Sequence, residues 1–182
     1  MHILNAITLA GKELPDLDWL CEGHPEYDRI KALYKRERKL AKAFIHGTNY
    51  GGGARTMAIA AGVTVLQAER FQRIYFGAYP GIKEWHNRTE QQLKTKHYVQ
   101  NAFGYRRYYF DRVDGLLPEA LAWIPQSTVA NVIDRAWLNI NNNIPEVKVL
   151  LQVHDSLCGE FPTHRKDWCL QRMTEEARIV VP

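Results

Sequence analysis

The sequence predicts an α+β chain, mostly helical, with two β-hairpins late in its length. Three observations carry this. From Tyr27 onward, apolar residues recur at helical spacing between glycine and proline punctuation. HYVQNAFGYRRYYFD, residues 97–111, is rich in aromatics around Gly104 and reads as a hairpin. EVKVLLQVHDSLCGEFP, residues 146–162, reads as an apolar strand, a polar turn and a return strand. The order helices, hairpin, helix, hairpin, helix is that of an α+β fold.

Taken in order, MHILNAITLAG reads as a short helix ending at Gly11. KELPDLDWLCEGHPEYD follows as a connection punctuated by proline and glycine. A helix is expected from about Tyr27 to Tyr50, stopped by Gly51, Gly52 and Gly53. Three more helices follow, split at Gly62 and at Tyr79-Pro80-Gly81, with Thr64 as a cap for the second. After the first hairpin, a helix is expected from about Pro118 to Asn141, kinked or divided by Pro125. The second hairpin turns at His154-Asp155-Ser156, and its strand is too apolar to be exposed on both faces. HRKDWCLQRMTEEARI is the last helix. The change of pattern near Asp111 sets a boundary between a lobe at 1–111 and another at 112–182.

The chain has 182 residues, enough for one domain or two small lobes. Its 46% hydrophobic and 24% charged content is ordinary for a soluble globular protein. No apolar run approaches a membrane span, and the N-terminus lacks a signal-peptide layout. Cys21, Cys158 and Cys169 are few, odd in number and without paired metal spacing. A reducing, cytoplasmic setting is expected, with no disulfide framework and no zinc site. The net charge of +4 leans towards a polyanionic partner. KALYKRERKLAK, residues 31–42, concentrates six cations against one acid, which suits either phosphate binding or a solvated helix face.

Two stretches carry candidate chemistry. Arg38, Lys42, His46 and Tyr50 recur every four residues and so share one helical face. Arg38 offers a planar fork and Lys42 a compact charge for phosphate oxygens. His46 and Tyr50 offer flat rings of a size for sugar and base, and glycines directly after them allow close approach. The same pattern also describes a basic amphipathic helix with its aromatic end in the core. Asp155, on a hairpin tip, suits a hard cation such as Mg²⁺, which takes few protein ligands. Taken alone, His154-Asp155-Ser156 reads first as an ordinary polar turn, which favours Asp and Ser anyway. Glu160 alternates to the opposite face and is not a second ligand. Trp85, Trp123 and Trp137 read as core residues.

Together these stretches resemble family A DNA polymerases, the phage members in particular. Arg38, Lys42, His46, Tyr50 and Gly51, then Gln126-Ser127-Thr128, then Val153-His154-Asp155 stand in that family's order. GYRRYY at 104–109 is similar to its Gly-Arg-Arg stretch, and HILNA at 2–6 to the start of its fingers subdomain. The resemblance implies mostly helical fingers over 1–111 and a partial palm with a catalytic hairpin over 112–182. It implies template-directed nucleotidyl transfer from a dNTP to a DNA primer 3′-end. His2, Arg38, Lys42, His46 and Tyr50 would contact the nucleotide, with Arg38 and Lys42 assisting catalysis. Gly51, Gln126, His154, Arg106 and Arg107 would contact primer–template DNA, although Arg106 and Arg107 equally suit a solvated hairpin face. Asp155 would bind Mg²⁺ in a two-metal site.

The resemblance has departures. The family's upstream Asp-Tyr-Ser-x-Ile-Glu motif, which supplies a second metal carboxylate, does not occur in this sequence. A longer protein or a second polypeptide is expected to carry it, with the rest of the palm, the thumb and any exonuclease domain. The chain alone is expected to be inactive. His46 stands where members carry Phe or Tyr, Ser156 where many carry Glu, and Ala122 where bacterial members carry Asn. An imidazole can change charge near neutrality, so sugar discrimination is expected to depend on pH. The chain stops at IVVP, so its palm sheet is expected to show an uncovered edge and exposed apolar surface. The alternatives are a non-catalytic nucleic-acid-binding module and a helical interaction protein.

Overall fold

The computed structural model describes residues 18, 21 and 23–182. The short helix expected at the N-terminus, and His2 with it, lie outside the described residues. The chain forms two compact units, Met1–Arg88 and Thr89–Pro182. No helix among the described residues is long and apolar enough to cross a membrane.

The first unit holds helices α1 (Tyr27–Leu33), α2 (Lys35–Asn49), α3 (Ala54–Ala61) and α4 (Val65–Ala78). Helix α5 (Pro80–Lys96) starts in it, and the division falls within that helix. The single helix expected over 27–50 is divided at Tyr34, whose φ of −103° and ψ of 26° leave the helical region. Neither glycine nor proline causes this; the Tyr34 ring packs with Tyr27 on buried Ile30. The hydrogen-bond ladder continues across it, from Tyr34 N–H to Ile30 O and from Arg38 N–H to Tyr34 O.

Helix α2 ends in the glycine motif that the sequence announces. Gly51 has φ +76°, a left-handed conformation that side chains disfavour. Its N–H donates to Thr48 O at 3.0 Å, and Gly52 N–H donates to Gly47 O at 2.8 Å. These are the two bonds of a Schellman cap. A Cβ on Gly52 would lie 2.7 Å from Gly47 O, so no other residue closes this turn without a shift. Thr64 caps α4 as expected, in a reciprocal box with Gln67. The core of this unit gathers Phe44, Ile45, Ala58, Ala68, Phe71 and Tyr75, with the Phe44 and Phe71 rings 4.7 Å apart.

The second unit holds hairpin β1 (Tyr98–Gln100) and β2 (Arg106–Tyr108), then helix α6 (Leu117–Asn143). Hairpin β3 (Lys148–Val153) and β4 (Ser156–Glu160), a 3₁₀ turn at Thr163–Arg165 and helix α7 (Lys166–Glu176) complete it. Both hairpins are antiparallel. The unit division differs from the boundary near Asp111 because the first hairpin packs on α6: Val99 and Tyr109 share a core with Leu93 and Ala120.

Two expectations need correction. Of the two outcomes expected at Pro125, a kink or a division, the division does not occur: α6 is one helix of 27 residues. An internal proline removes one ladder bond. Here each end of the helix is buried in a separate core, Ala120 in one and Ile140 in the other. Strand β3 is not covered in proportion to its apolar sequence: Leu150, Leu151 and Val153 are all about half exposed. A register shift between Val149 and Leu151 interrupts the alternation, and only Val149 and Leu157 rest on the core of Ile140, Ile144, Val147 and Cys169.

Candidate functional site

The candidate residues fall into two sets, one in each unit. In the first unit, Ala41, Phe44, Ile45 and Thr48 bury one side of α2. The four-residue stripe lies off that side, with Lys42 and His46 exposed and Arg38 and Tyr50 half-buried. The His46 and Tyr50 rings are 6.4 Å apart and tilted by 43°. Among the described residues, neither Arg38 nor Lys42 has a carboxylate within ion-pair distance. Two cations one turn apart, unpaired with any described acid, suit an external anion such as phosphate.

The far end of the stripe is held by residues that sequence reasoning missed. Gln72 Nε2 donates to Gly52 O at 2.7 Å and to Thr48 Oγ1 at 3.3 Å. Tyr75 Oη donates to Asn49 Oδ1 at 3.0 Å, and His86 Nε2 lies 2.8 Å from Asn49 O. Burial pushes the Tyr75 phenol above its ordinary pKa, opposed by its bond to Asn49. Two helices from elsewhere in the unit thus tie down the turn that carries Tyr50 and exposed Gly51. Each of these residues is an unremarkable polar position in its own helix, so no local signal marks it.

In the second unit, the register pairs Val153 with Ser156 and leaves His154 and Asp155 as a two-residue turn. His154 takes φ +53°, and its carbonyl accepts from Gln152 Nε2 at 3.3 Å. Asp155 is exposed at the tip. Glu160 pairs with Lys148 at the other end of the ladder, at 3.6 Å, so it does not join Asp155. Among the described residues, no cluster of three His, Cys, Asp or Glu side chains could hold a metal. Asp155 fits Mg²⁺ as one hard oxygen ligand of an ion that keeps water and phosphate in its shell.

Gln126 is exposed on α6. The next two residues turn inward, Ser127 and Thr128 both donating to Ile124 O. Both also meet the first hairpin, Thr128 through Ala102 N–H and Ser127 through buried Asn101, a further residue not found from sequence. Asn101 Nδ2 donates to Ser127 Oγ at 3.1 Å and to Asn131 Oδ1 at 2.7 Å. Its Oδ1 accepts from Phe103 N–H and Tyr105 N–H, each at 3.0 Å. One side chain therefore closes the hairpin loop and fastens it beside Gln126. Arg107 is bound to Glu119, whereas Arg106 contacts Gln100 and the Tyr98 ring. Trp85, Trp123 and Trp137 are each half-buried.

Comparison with known proteins agrees over most of the chain. The family model for DNA polymerase family A matches residues 27–180. DNA polymerase I of Deinococcus radiodurans is 32% identical over 140 residues, covering 72% of this chain and 15% of that protein. The thermostable DNA polymerase I of Thermus filiformis is 33% identical over 156 residues, covering 79% and 17%. The DNA polymerase of Mycobacterium phage D29 is 30% identical over 132 residues, covering 72% and 21%. This chain thus spans about a fifth or less of these relatives' lengths. The POL domain of Pol1 from M. smegmatis, solved in complex with DNA primer–template and dNTP, shares the fold with a TM-score of 0.76. That match is 23% identical and covers 97% of this chain and 30% of the other.

Proposed function

We propose, for a chain that belongs to DNA polymerase family A, that it is the nucleotide-binding and catalytic-hairpin portion of a template-directed DNA polymerase. The observation that carries this reading is the stripe on α2: Arg38 and Lys42, with no acid among the described residues within ion-pair distance, ending at a turn held by Gln72 and His86. On this reading residues 1–111 act as fingers and 112–182 as part of the palm. Arg38 and Lys42 grip the triphosphate of a dNTP and offset its charge as pyrophosphate leaves. His46 lies against the sugar, while Tyr50 and Gly51 border the new base pair. Gln126 and Arg106 hold primer–template DNA, Arg107 being engaged by Glu119, and His154 steadies the primer end. His2 belongs with the triphosphate contacts by its place in the sequence.

Asp155 is the residue that would hold Mg²⁺. When bound, the metal supplies charge stabilisation to the attacking and leaving oxygens in a two-metal mode. One carboxylate does not complete such a site, so the second is proposed to come from upstream sequence supplied in cis or by another polypeptide. The cytoplasm of a bacterium, or of a phage-infected host, is the setting this implies.

Extension of a labelled primer with dNTPs and Mg²⁺ tests the reading, with an upstream palm half from a family member added in trans. Extension that Asp155→Ala abolishes supports it. Binding of primer–template without extension in any mixture favours the second reading, a non-catalytic nucleic-acid-binding module. The lack of an acidic cluster around Asp155 among the described residues is the observation in that reading's favour. In a mixture that extends, His46→Phe is expected to change the ratio of dideoxy to deoxy incorporation. Equal ratios for variant and parent, at about pH 6 and 8 alike, would count against a sugar contact by the imidazole.

A further inference from the structure

The first hairpin has two unlike faces. Val99 and Tyr109 point inward and are buried, while Tyr98, Arg106, Tyr108 and Phe110 fall on the other side by strand alternation and by the pairing of Tyr98 with Tyr108. On that outer side the groups form a continuous row. The Arg106 guanidinium lies 4.7 Å from the Tyr98 ring centre, Tyr98 lies 5.4 Å from Tyr108, and Tyr108 lies 6.2 Å from Phe110. The last two rings are within 15° of parallel. Tyr108 is 50% exposed and Phe110 92%.

A row of aromatic faces held in water needs a reason, because each ring forgoes the burial that its apolar area favours. The row is aromatic throughout, and it carries a cation at one end. Arg106 contacts Gln100, Tyr98 and Tyr108, none of them an acid, so its charge is not neutralised there. Arg107, one residue on and on the inner side, is bound to Glu119. Stacked rings with an uncommitted arginine match a single nucleic-acid strand, whose bases have flat faces and whose backbone is anionic. An aliphatic protein helix or a lipid surface would not call for a row of rings that ends in a guanidinium.

We propose that the outer face of the β1–β2 hairpin, Tyr98, Tyr108 and Phe110 with Arg106, is a stacking platform for unpaired bases of single-stranded DNA. The polymerase reading identifies that strand as the template ahead of the primer end, and to that extent the proposal rests on it. Stacking on side chains without base-edge hydrogen bonds is indifferent to sequence, as a template contact must be.

The test is fluorescence anisotropy of the full chain with two labelled probes, an oligothymidylate strand and a blunt duplex of equal length. The Tyr108→Ala/Phe110→Ala double variant is expected to lose strand affinity about ten- to a hundredfold, leaving duplex affinity unchanged. Tyr108→Phe and Phe110→Trp keep a ring at each position and are expected to retain strand binding. Equal loss on both probes, no loss on either, or failure of the parent to bind the strand would overturn the platform. Asp155→Ala, measured in the same set, separates the two proposals. If it leaves strand binding intact and abolishes extension, a loss confined to the ring variants supports the platform within the polymerase. If extension never depends on Asp155 while the ring variants still lose the strand, the platform stands and the polymerase reading falls.

Discussion

The two hairpins of the second unit are both antiparallel pairs of strands and are held very differently. In β1–β2, Val99 is fully buried, Tyr109 lies beside it, and Asn101 makes four hydrogen bonds that fasten the loop to itself and to α6. In β3–β4 no strand residue is buried, and Leu150, Leu151 and Val153 stay about half exposed. The first hairpin is a bracket anchored by tertiary contacts. The second is a short ladder that projects one carboxylate, Asp155, with only Val149 and Leu157 against the core. The tertiary anchoring and the candidate metal carboxylate thus reside in different hairpins. A candidate catalytic group can sit on a sparsely packed element because its place is set by the turn and the ladder register.

Substitutions can break or sharpen this contrast. The largest effect is expected from Asp155→Ala in the reconstituted extension assay, a loss on the order of 100- to 1,000-fold, as for removal of a charge-stabilising group. Its unfolding free energy should move by less than about 0.5 kcal/mol, since Asp155 is exposed at a tip. A large destabilisation would mean that the second hairpin is anchored after all. Next comes Asn101→Ala, expected to cost about 3 kcal/mol in urea unfolding, because it strands two hairpin N–H groups and their α6 partners. A cost under about 1 kcal/mol would assign the anchoring to apolar contact alone. Val99→Ala should cost about 2 kcal/mol, whereas Leu151→Ala should stay within about 0.5 kcal/mol. Equal costs would erase the distinction between bracket and ladder.

The smallest effect has the opposite sign. Among the described residues, the buried Tyr109 Oη has no hydrogen-bond partner. Tyr109→Phe removes that unsatisfied hydroxyl and should stabilise the chain by up to about 1 kcal/mol. Burial also raises the Tyr109 phenol above its ordinary pKa, with Arg107 opposing. The folded state therefore keeps this proton when the unfolded chain gives it up. The linked stability is intact below about pH 10 and is lost as pH rises through the higher folded value. Thermal melts above about pH 10 should show the parent falling faster than Tyr109→Phe.

Much of the fold was legible because its signals are local. Gly51 and Gly52 announce the cap that ends α2, Thr64 with Gln67 announces the start of α4, and Tyr79-Pro80-Gly81 marks the start of α5. The tip position of Asp155 follows from a polar turn set between two strands. The stripe of Arg38, Lys42, His46 and Tyr50 follows from helical geometry once α2 is a helix. The errors lie where neighbours in space overrule neighbours in sequence. Tyr34 interrupts a helix where neither glycine nor proline stands, with its ring beside Tyr27 on Ile30. Pro125 leaves α6 undivided, with a core packed at each of its ends.

By itself the sequence determined which segments are helices and hairpins, where the caps and turns fall, and which side chains share a helical face. It also carried the family, through ordered motifs whose spacing survives without any coordinates. Only the tertiary structure decided how those pieces are held: Gln72 and His86 gripping the end of α2, and Asn101 joining a hairpin to α6. It alone decided that Arg107 is committed to Glu119 while Arg106 keeps its charge beside a row of exposed rings. The division has a physical cause. Caps, turns and periodicity depend on contacts within a few residues, which any reader of the sequence can count. A hydrogen bond between residues twenty or more positions apart depends on how separate elements pack, and no short pattern records it.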